Sequence, residues 1–210
     1  QVWNNSISFI LDSIEPSQLG PNAFFKEGPR DLSVLTNFFN GLHLESSTSN
    51  LSVLTNYTIH KYQDLFFSAP AAVKMHHNYL HGLAQHTMEV VELAIELAES
   101  RIKLTEEKLD IELVICGAIL HDIGKCLCYA LEDGLPVMTD LGKFKDHLVV
   151  GSQILNEEAV ALRMNTREKW FLKLDHLILA HHGKLEYGSP VAPCFPEALI
   201  VYLADQSSAK

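Results

Sequence analysis

The stretch GAILHDIGK, residues 117–125, places a histidine and an aspartate directly after the apolar run LVICGAIL. A carboxylate carried inward by such a run costs several kcal/mol unless a charge or a metal compensates it. Other polar groups interrupt apolar stretches in the same way. His86 opens one such stretch, His147 opens another, His181 and His182 end a third, and Asp205 follows ALIVYLA. Neutral imidazole and carboxylate are ligands for Mn, Fe, Co, Ni and Zn, whereas calcium takes oxygen alone. With His121 and Asp122 these groups number seven, too many for one four-coordinate ion. They suit two six-coordinate ions bridged by a carboxylate, and Asp122 is the natural bridge.

Such a centre would lower the pKa of a bound water, so the chemistry expected of it is metal-assisted hydrolysis. Lys125 follows Asp122 by three residues, a spacing that puts both on one helix face. There its ammonium would lie near the metals and stabilise negative charge as it develops on a bound substrate. The competing expectation for Lys125 is an exposed lysine favoured by a helix C-terminus. Gly124 would let the backbone approach the substrate. Lys143 and Lys145, in LGKFKD, would guide phosphates toward His147. His76 and His77, in KMHHNYLHGL, would line the pocket mouth. His43, His60 and His176 have no such setting and read as ordinary surface or core residues.

Helices with their ends at one level must hold these groups. Helical periodicity is read over HTMEVVELAIELAES (86–100), over 105–125 with an acidic first turn, and over 147–162. It is read again over 167–183, stopped by Gly183, and over 195–210, with Pro196 where a helix begins. No alternating run predicts a strand, and 132–146 is rich in turn residues. The first fifty-six residues read as a separate extension. Ile7, Ile10, Leu11 and Ile14 have helical spacing, 16–31 reads as a loop, and 31–42 as a helix. ESSTSN (45–50) reads as a polar linker. LSVLTN occurs twice, at 32–37 and 51–56, as expected of a local duplication forming two short helices. The fold class expected is an all-α helical bundle, with an extension at 1–56 and the metal-binding domain at 57–210.

Composition narrows the function. At 210 residues, 47% of them hydrophobic, the chain can bury a sizeable core. It has no apolar run of about 18 residues to span a membrane. Its start, QVWNNSISF, lacks the basic and apolar regions of a signal peptide. The absence of Met at the start and the ending ADQSSAK suit a fragment of a longer protein. Four cysteines, two of them in CLC, read as reduced thiols of a cytoplasmic protein and lack zinc-site spacing. The net charge of −10 is a poor surface for phosphates, so positive charge must be supplied locally.

His86, then HDIGK at 121–125, then Asp205 resemble the H…HD…D pattern of the HD-domain metal-dependent phosphohydrolases. APAAVKMHHNYLHGLAQHTMEVVELA (69–94), AILHDIGK, GKFKDHLVVG (142–151) and AHHGKLEYGSPVAPCFPEALIVYLAD (180–205) look like the HD domain of the YhaM-type 3′→5′ exoribonucleases. The resemblance covers about residues 60–210. It implies an all-α HD domain, one or two divalent ions, often manganese, and phosphoester hydrolysis. By position it makes His86, His121, Asp122 and Asp205 ligands of a first metal. His147, His181 and His182 fall to a second, Asp122 bridges, and Lys125 is the lysine of the HDxGK motif. The chain departs from the group in three places. Residues 1–56 do not read as a nucleic-acid-binding barrel, His81 stands where a glycine is expected, and Gln206 where an acid is expected. The function implied is a 3′→5′ phosphodiesterase on short or single-stranded nucleic acid. A nucleotide phosphohydrolase and a nucleotide-binding regulatory domain are the alternatives.

Overall fold

The computed structural model describes residues 28–42, 44, 47–73, 77–132 and 135–209, with the backbone of 2–3 and 6–7. The helix expected from Ile10 to Ile14, most of the loop expected at 16–31, His43 and His76 lie outside the described residues. Ile7 belongs to a short antiparallel pair, β1 (Val2–Trp3) with β2 (Ser6–Ile7), so it is extended, not helical.

The remainder is the expected helical bundle. One helix explains its layout. α5 (Ile111–Leu120) buries Leu113, Val114, Cys116, Gly117, Ala118, Ile119 and Leu120. A helix apolar on nearly every side has no solvent face and must be surrounded. α2 (Asn50–Lys61), α4 (Gly82–Thr105), α9 (Lys169–Ala180) and α10 (Pro196–Ser208) all pack on it. Each fully buried leucine or isoleucine contributes about 1.5–3 kcal/mol of transfer free energy. α8 (His147–Ala161) closes the bundle against α2 and α9.

The element ends differ from the sequence reading in instructive ways. Glu106 takes a left-handed φ of 56° and stops α4, while Asp110 caps α5 by accepting from the Leu113 N–H at 3.0 Å. The acidic run TEEKLD is therefore divided between a helix exit and a cap, and is not one first turn. Gly183, with φ 78°, ends the α9 segment, and Pro196 occupies the first turn of α10. The turn-rich stretch holds a hairpin that the periodicity did not predict, β3 (Tyr129–Glu132) with β4 (Leu135–Met138). Four-residue strands, one containing Pro136, are too short to show an alternating pattern.

Both copies of LSVLTN are helical, the first in α1 (Leu32–Gly41), the second in α2. They are not equivalent: Leu32 and Val34 are exposed, whereas Leu51, Leu54 and Thr55 are buried. α2 runs across position 56, so the expected division between extension and domain falls inside a helix that packs on α5 and α8. Ser49 caps α2 at the Ser52 N–H, and Ser47, Ser49 and Ser52 all donate to Glu112 at the start of α5.

Gly124 holds the site-bearing turn against α8. A Cβ there would lie 2.0 Å from the His147 carbonyl oxygen and 2.6 Å from the Gly151 nitrogen. The glycine thus admits the backbone of α8, not a substrate. Its own φ of −61° is helical, so conformational propensity alone makes Gly124→Ala stabilising by about 0.5–1 kcal/mol. The contact predicts the opposite sign: a loss of about 1–3 kcal/mol, because backbone atoms cannot rotate away. For a chain of this length Tm should fall by roughly 3–10 °C in a thermal melt. A rise in Tm would show that the two backbones are not in contact.

Candidate metal centre

Two helices end in the same local device. The last carbonyls of a helix have no partner within it. After the apolar turns GAIL and LILA, His121 Nδ1 meets the Ala118 carbonyl at 2.7 Å, and His181 Nδ1 meets the Ile178 carbonyl at 2.8 Å. A carbonyl only accepts, so the proton is on Nδ1 in both rings. In the neutral imidazole Nε2 is then a bare lone pair turned away from the helix.

The other three histidines reach the same tautomer by different means. His147 Nδ1 lies 2.9 Å from the carboxylate of Asp146, which also caps α8 at the Leu148 N–H. His182 Nδ1 donates to the Tyr187 carbonyl at 2.9 Å, in the loop with the 3-10 turn Leu185–Tyr187. His86 Nδ1 lies 3.0 Å from the Ser208 hydroxyl, whose own hydrogen is directed to Glu89 at 2.7 Å. All five rings are pinned at Nδ1 and present Nε2 inward.

What they face is Asp122, 1% exposed. Its Oδ2 is 3.3 Å from both His86 Nε2 and His121 Nε2, which are 3.3 Å from each other. Asp205 Oδ1 joins this group at 3.1 Å from His86 Nε2. The other oxygen of Asp122, Oδ1, is 3.4 Å from His147 Nε2 and from His181 Nε2. His182 lies against those two, with ring centroids at 5.0 and 4.5 Å. Two clusters able to hold a metal result, His86–His121–Asp122 and His147–His181–His182, with one oxygen of Asp122 turned to each. Spacings of 3.1–3.4 Å suit neighbouring ligands of one ion with bonds of about 2.0–2.2 Å.

Two buried atoms confirm that the donor set fits a cation. Among the described residues, Asp122 Oδ1 and His147 Nε2 have no hydrogen-bond partner. A lone pair and a carboxylate oxygen repel unless positive charge lies between them. The electrostatics agree. Burial opposes the charge of Asp122, yet the Lys125 ammonium and the histidines outweigh it and hold the carboxyl well below its usual range. For Asp205 too, burial is outweighed, chiefly by His86, and the carboxyl is lowered. Burial pushes His181 down to about 4, leaving it neutral and ready to ligate at neutral pH. Burial likewise opposes charge on His86, but Asp122 and Asp205 raise it, so the centre favours positive charge.

The structure thus gathers all seven residues singled out from the sequence. Lys125 starts the short α6 (Lys125–Cys128), and its Nζ is 2.5 Å from Asp122 Oδ2 with the side chain 13% exposed. It is not an exposed helix-end lysine. His77 lines the ≈260 Å³ cavity over the centre and meets Glu89 at 3.2 Å. Lys143 and Lys145 do not line it. They sit exposed on α7 (Asp140–Lys145), with Lys143 paired to Asp140 and Lys145 to Gln153. The sequence reading missed Tyr129 in the cavity wall and the Glu89–Ser208 support of His86, and it named Gln206, which also lines the cavity, only as a departure from the family pattern. Glu89 lies three residues after His86, on the same helix face, which was the available signal.

The HD domain profile matches residues 83–210, a span that contains all seven groups. The chain belongs to the HD-domain family. Beyond the HD domain itself, it is similar to proteins named 3′-5′ exoribonuclease YhaM. It is 35% identical to that of Geobacillus sp. (strain WCH70) over 164 residues, 77% of this chain and 47% of the relative. With that of Bacillus subtilis (strain 168) it shares 35% over 169 residues, 79% of this chain and 50% of the relative. The chain spans about half the length of the curated relatives it matches. No solved structure gives a significant match. Among the described residues of this HD domain and its extension, no helix is long and apolar enough to cross a membrane.

The Ser208 hydroxyl provides a direct test of the pinned rings. Ser208→Ala removes the acceptor that keeps the proton of His86 on Nδ1. Mn²⁺ affinity, measured by titration calorimetry, should fall by about 10–100-fold, as when other outer partners of metal-binding histidines are lost. Ser208→Thr should restore most of it. Unchanged affinity in Ser208→Ala would mean that His86 is oriented by something else.

Proposed function

We propose that this chain is a divalent-metal phosphohydrolase, acting as a 3′→5′ phosphodiesterase on short or single-stranded nucleic acid. The observation that carries the reading is the set of five histidines, each pinned at Nδ1, around a carboxylate with one oxygen turned to each cluster. The nucleic-acid part of the reading is supported by relatives whose name is 3′-5′ exoribonuclease.

In this reading His86, His121, Asp122 and Asp205 hold one ion. His147, His181 and His182 would hold a second, with Asp122 shared. Manganese is the first choice and Fe, Co, Ni or Zn are compatible with the same donors. Bound divalent ions supply a water that is nucleophilic near neutral pH and offset charge on the phosphoryl oxygens. The protein's own part is positioning. The pinned rings hold their lone pairs in place before any ligand arrives, so little reorganisation remains. Lys125 lines the cavity and presents its ammonium where a phosphoryl oxygen would lie. His77 lines the same cavity from the opposite segment and is a substrate contact in this reading. Lys143 and Lys145, exposed on α7, would act on the approaching strand and not on the scissile phosphate.

A substrate panel with added Mn²⁺ separates the three functions compatible with such a centre. Shortened oligonucleotides identify the phosphodiesterase, free phosphate a nucleotide phosphohydrolase, and binding without turnover a regulatory domain. Asp122→Ala should lose both metal and activity, because it removes the shared ligand. His147→Ala should still fold and carry half the metal, as read by elemental analysis. Two ions per chain in that variant would remove His147 from the ligand set.

Lys125→Ala should keep the metal content and lower kcat by roughly 10²-fold or more, the scale of one lost transition-state donor. Lys125→Arg should rescue poorly, since its planar fork is bulkier and differently aimed. An unchanged kcat in Lys125→Ala would reduce the lysine to a counter-charge for Asp122.

A further inference from the structure

Tyr129, the first residue of β3, stands between two cavities. On one side is the ≈260 Å³ space over the metal centre, lined by Lys125, His77, His86, His147, His182 and Asp205. On the other is a space of ≈350 Å³, walled by Leu65, Ser68, Ala69, Leu80, Cys126 and Leu131 beside the same tyrosine. Neighbouring residues of the same chain segments also line both spaces. The segment 69–72 gives Ala69 to one and Ala71 and Ala72 to the other, and 125–129 gives Cys126 to one and Lys125 to the other.

Their chemistry is opposite. The first is built of charged and ligating groups. The second is aliphatic, and the hydroxyl of Ser68 in its wall already donates to the Asp64 carbonyl at 2.6 Å. A ligand that fits both must be anionic at one end and flat and weakly polar at the other. A volume of ≈350 Å³ is at the small end for ligand sites, enough for one ring system and not for a chain.

Resting on the phosphohydrolase reading above, we propose that this second cavity takes the nucleobase of a nucleotide whose phosphate lies over the metal centre, with the Tyr129 ring as the wall it stacks on. Stacking on an aromatic side chain is tolerant of base identity, because every base has a π-face. Among the described residues that line the second cavity, Leu65, Ala69, Leu80, Ala130 and Leu131 have no polar side-chain atom, and the Ser68 hydroxyl is already committed to the Asp64 carbonyl. The subsite therefore accepts purines and pyrimidines alike and rejects the absence of a base.

Two esters with the same leaving group test this on the metal-loaded chain: thymidine 5′-(p-nitrophenyl phosphate) and methyl p-nitrophenyl phosphate. Two variants fill the cavity from different elements, Ala130→Phe in β3 and Leu65→Trp in α3 (Gln63–Ser68). Each should raise KM for the thymidine ester by about tenfold or more, the scale of a lost stacking contact, and leave the methyl ester unchanged. Equal effects on both esters, or none on either, overturn the proposal. If the wild-type chain turns over neither ester, the phosphohydrolase reading fails, and equilibrium binding decides this one separately. Adenosine monophosphate should then bind more tightly than ribose 5-phosphate in calorimetry, and both variants should erase the difference. No difference in the wild type overturns the subsite.

Discussion

The bundle is organised around one expensive object, the carboxylate of Asp122, 1% exposed at the end of an apolar helix. An isolated charge there would be untenable. The surrounding groups answer that constraint in two ways. Lys125 supplies a fixed positive charge at 2.5 Å from one oxygen. The five histidines supply no charge of their own when neutral. They supply lone pairs, and lone pairs beside a carboxylate make the demand for a cation greater. The site is unfavourable as a purely protein arrangement and becomes favourable with positive charge at its centre.

That arrangement depends on helix ends. His121 and His181 use the unpaired carbonyls of their own last turns, so the groups that a helix leaves unsatisfied fix the ring tautomer. His147 begins a helix and uses its capping aspartate instead. His86, one turn into α4, needs help from two other residues, Ser208 at the far end of the chain and Glu89 beside it. The contact of Gly124 with the backbone of α8 brings the first and second of these devices together. A chain with a formal charge of −10 can thereby create one cavity suited to an anion, while the bulk of its surface repels anions.

The helical class and the seven gathered groups were legible because their signals are local. A polar residue that breaks a long apolar run is conspicuous, and a helix apolar all round, such as α5, has to be central. The short hairpin β3–β4 was not legible, because four residues show no period. The helix boundaries near 105–111 were hidden for a related reason. TEEKLD suits a first turn, an exit or a cap equally well, and only the left-handed φ of Glu106 distinguishes them.

By itself the sequence determined which side chains could ligate a metal and which elements would carry them, since composition and periodicity act within a few residues. Tertiary structure decided how those side chains are used. Lys125 could have been a surface lysine until packing buried it against Asp122. Lys143 and Lys145 are near His147 in sequence but point away, because α7 ends before α8 begins and Asp146, with φ 64°, turns the chain between them. Tyr129 acquired its place between two cavities only when the tertiary fold set β3 and the segment 69–72 around the same spaces. Distances between groups far apart in the chain are set by how whole helices pack, and no local pattern encodes that packing.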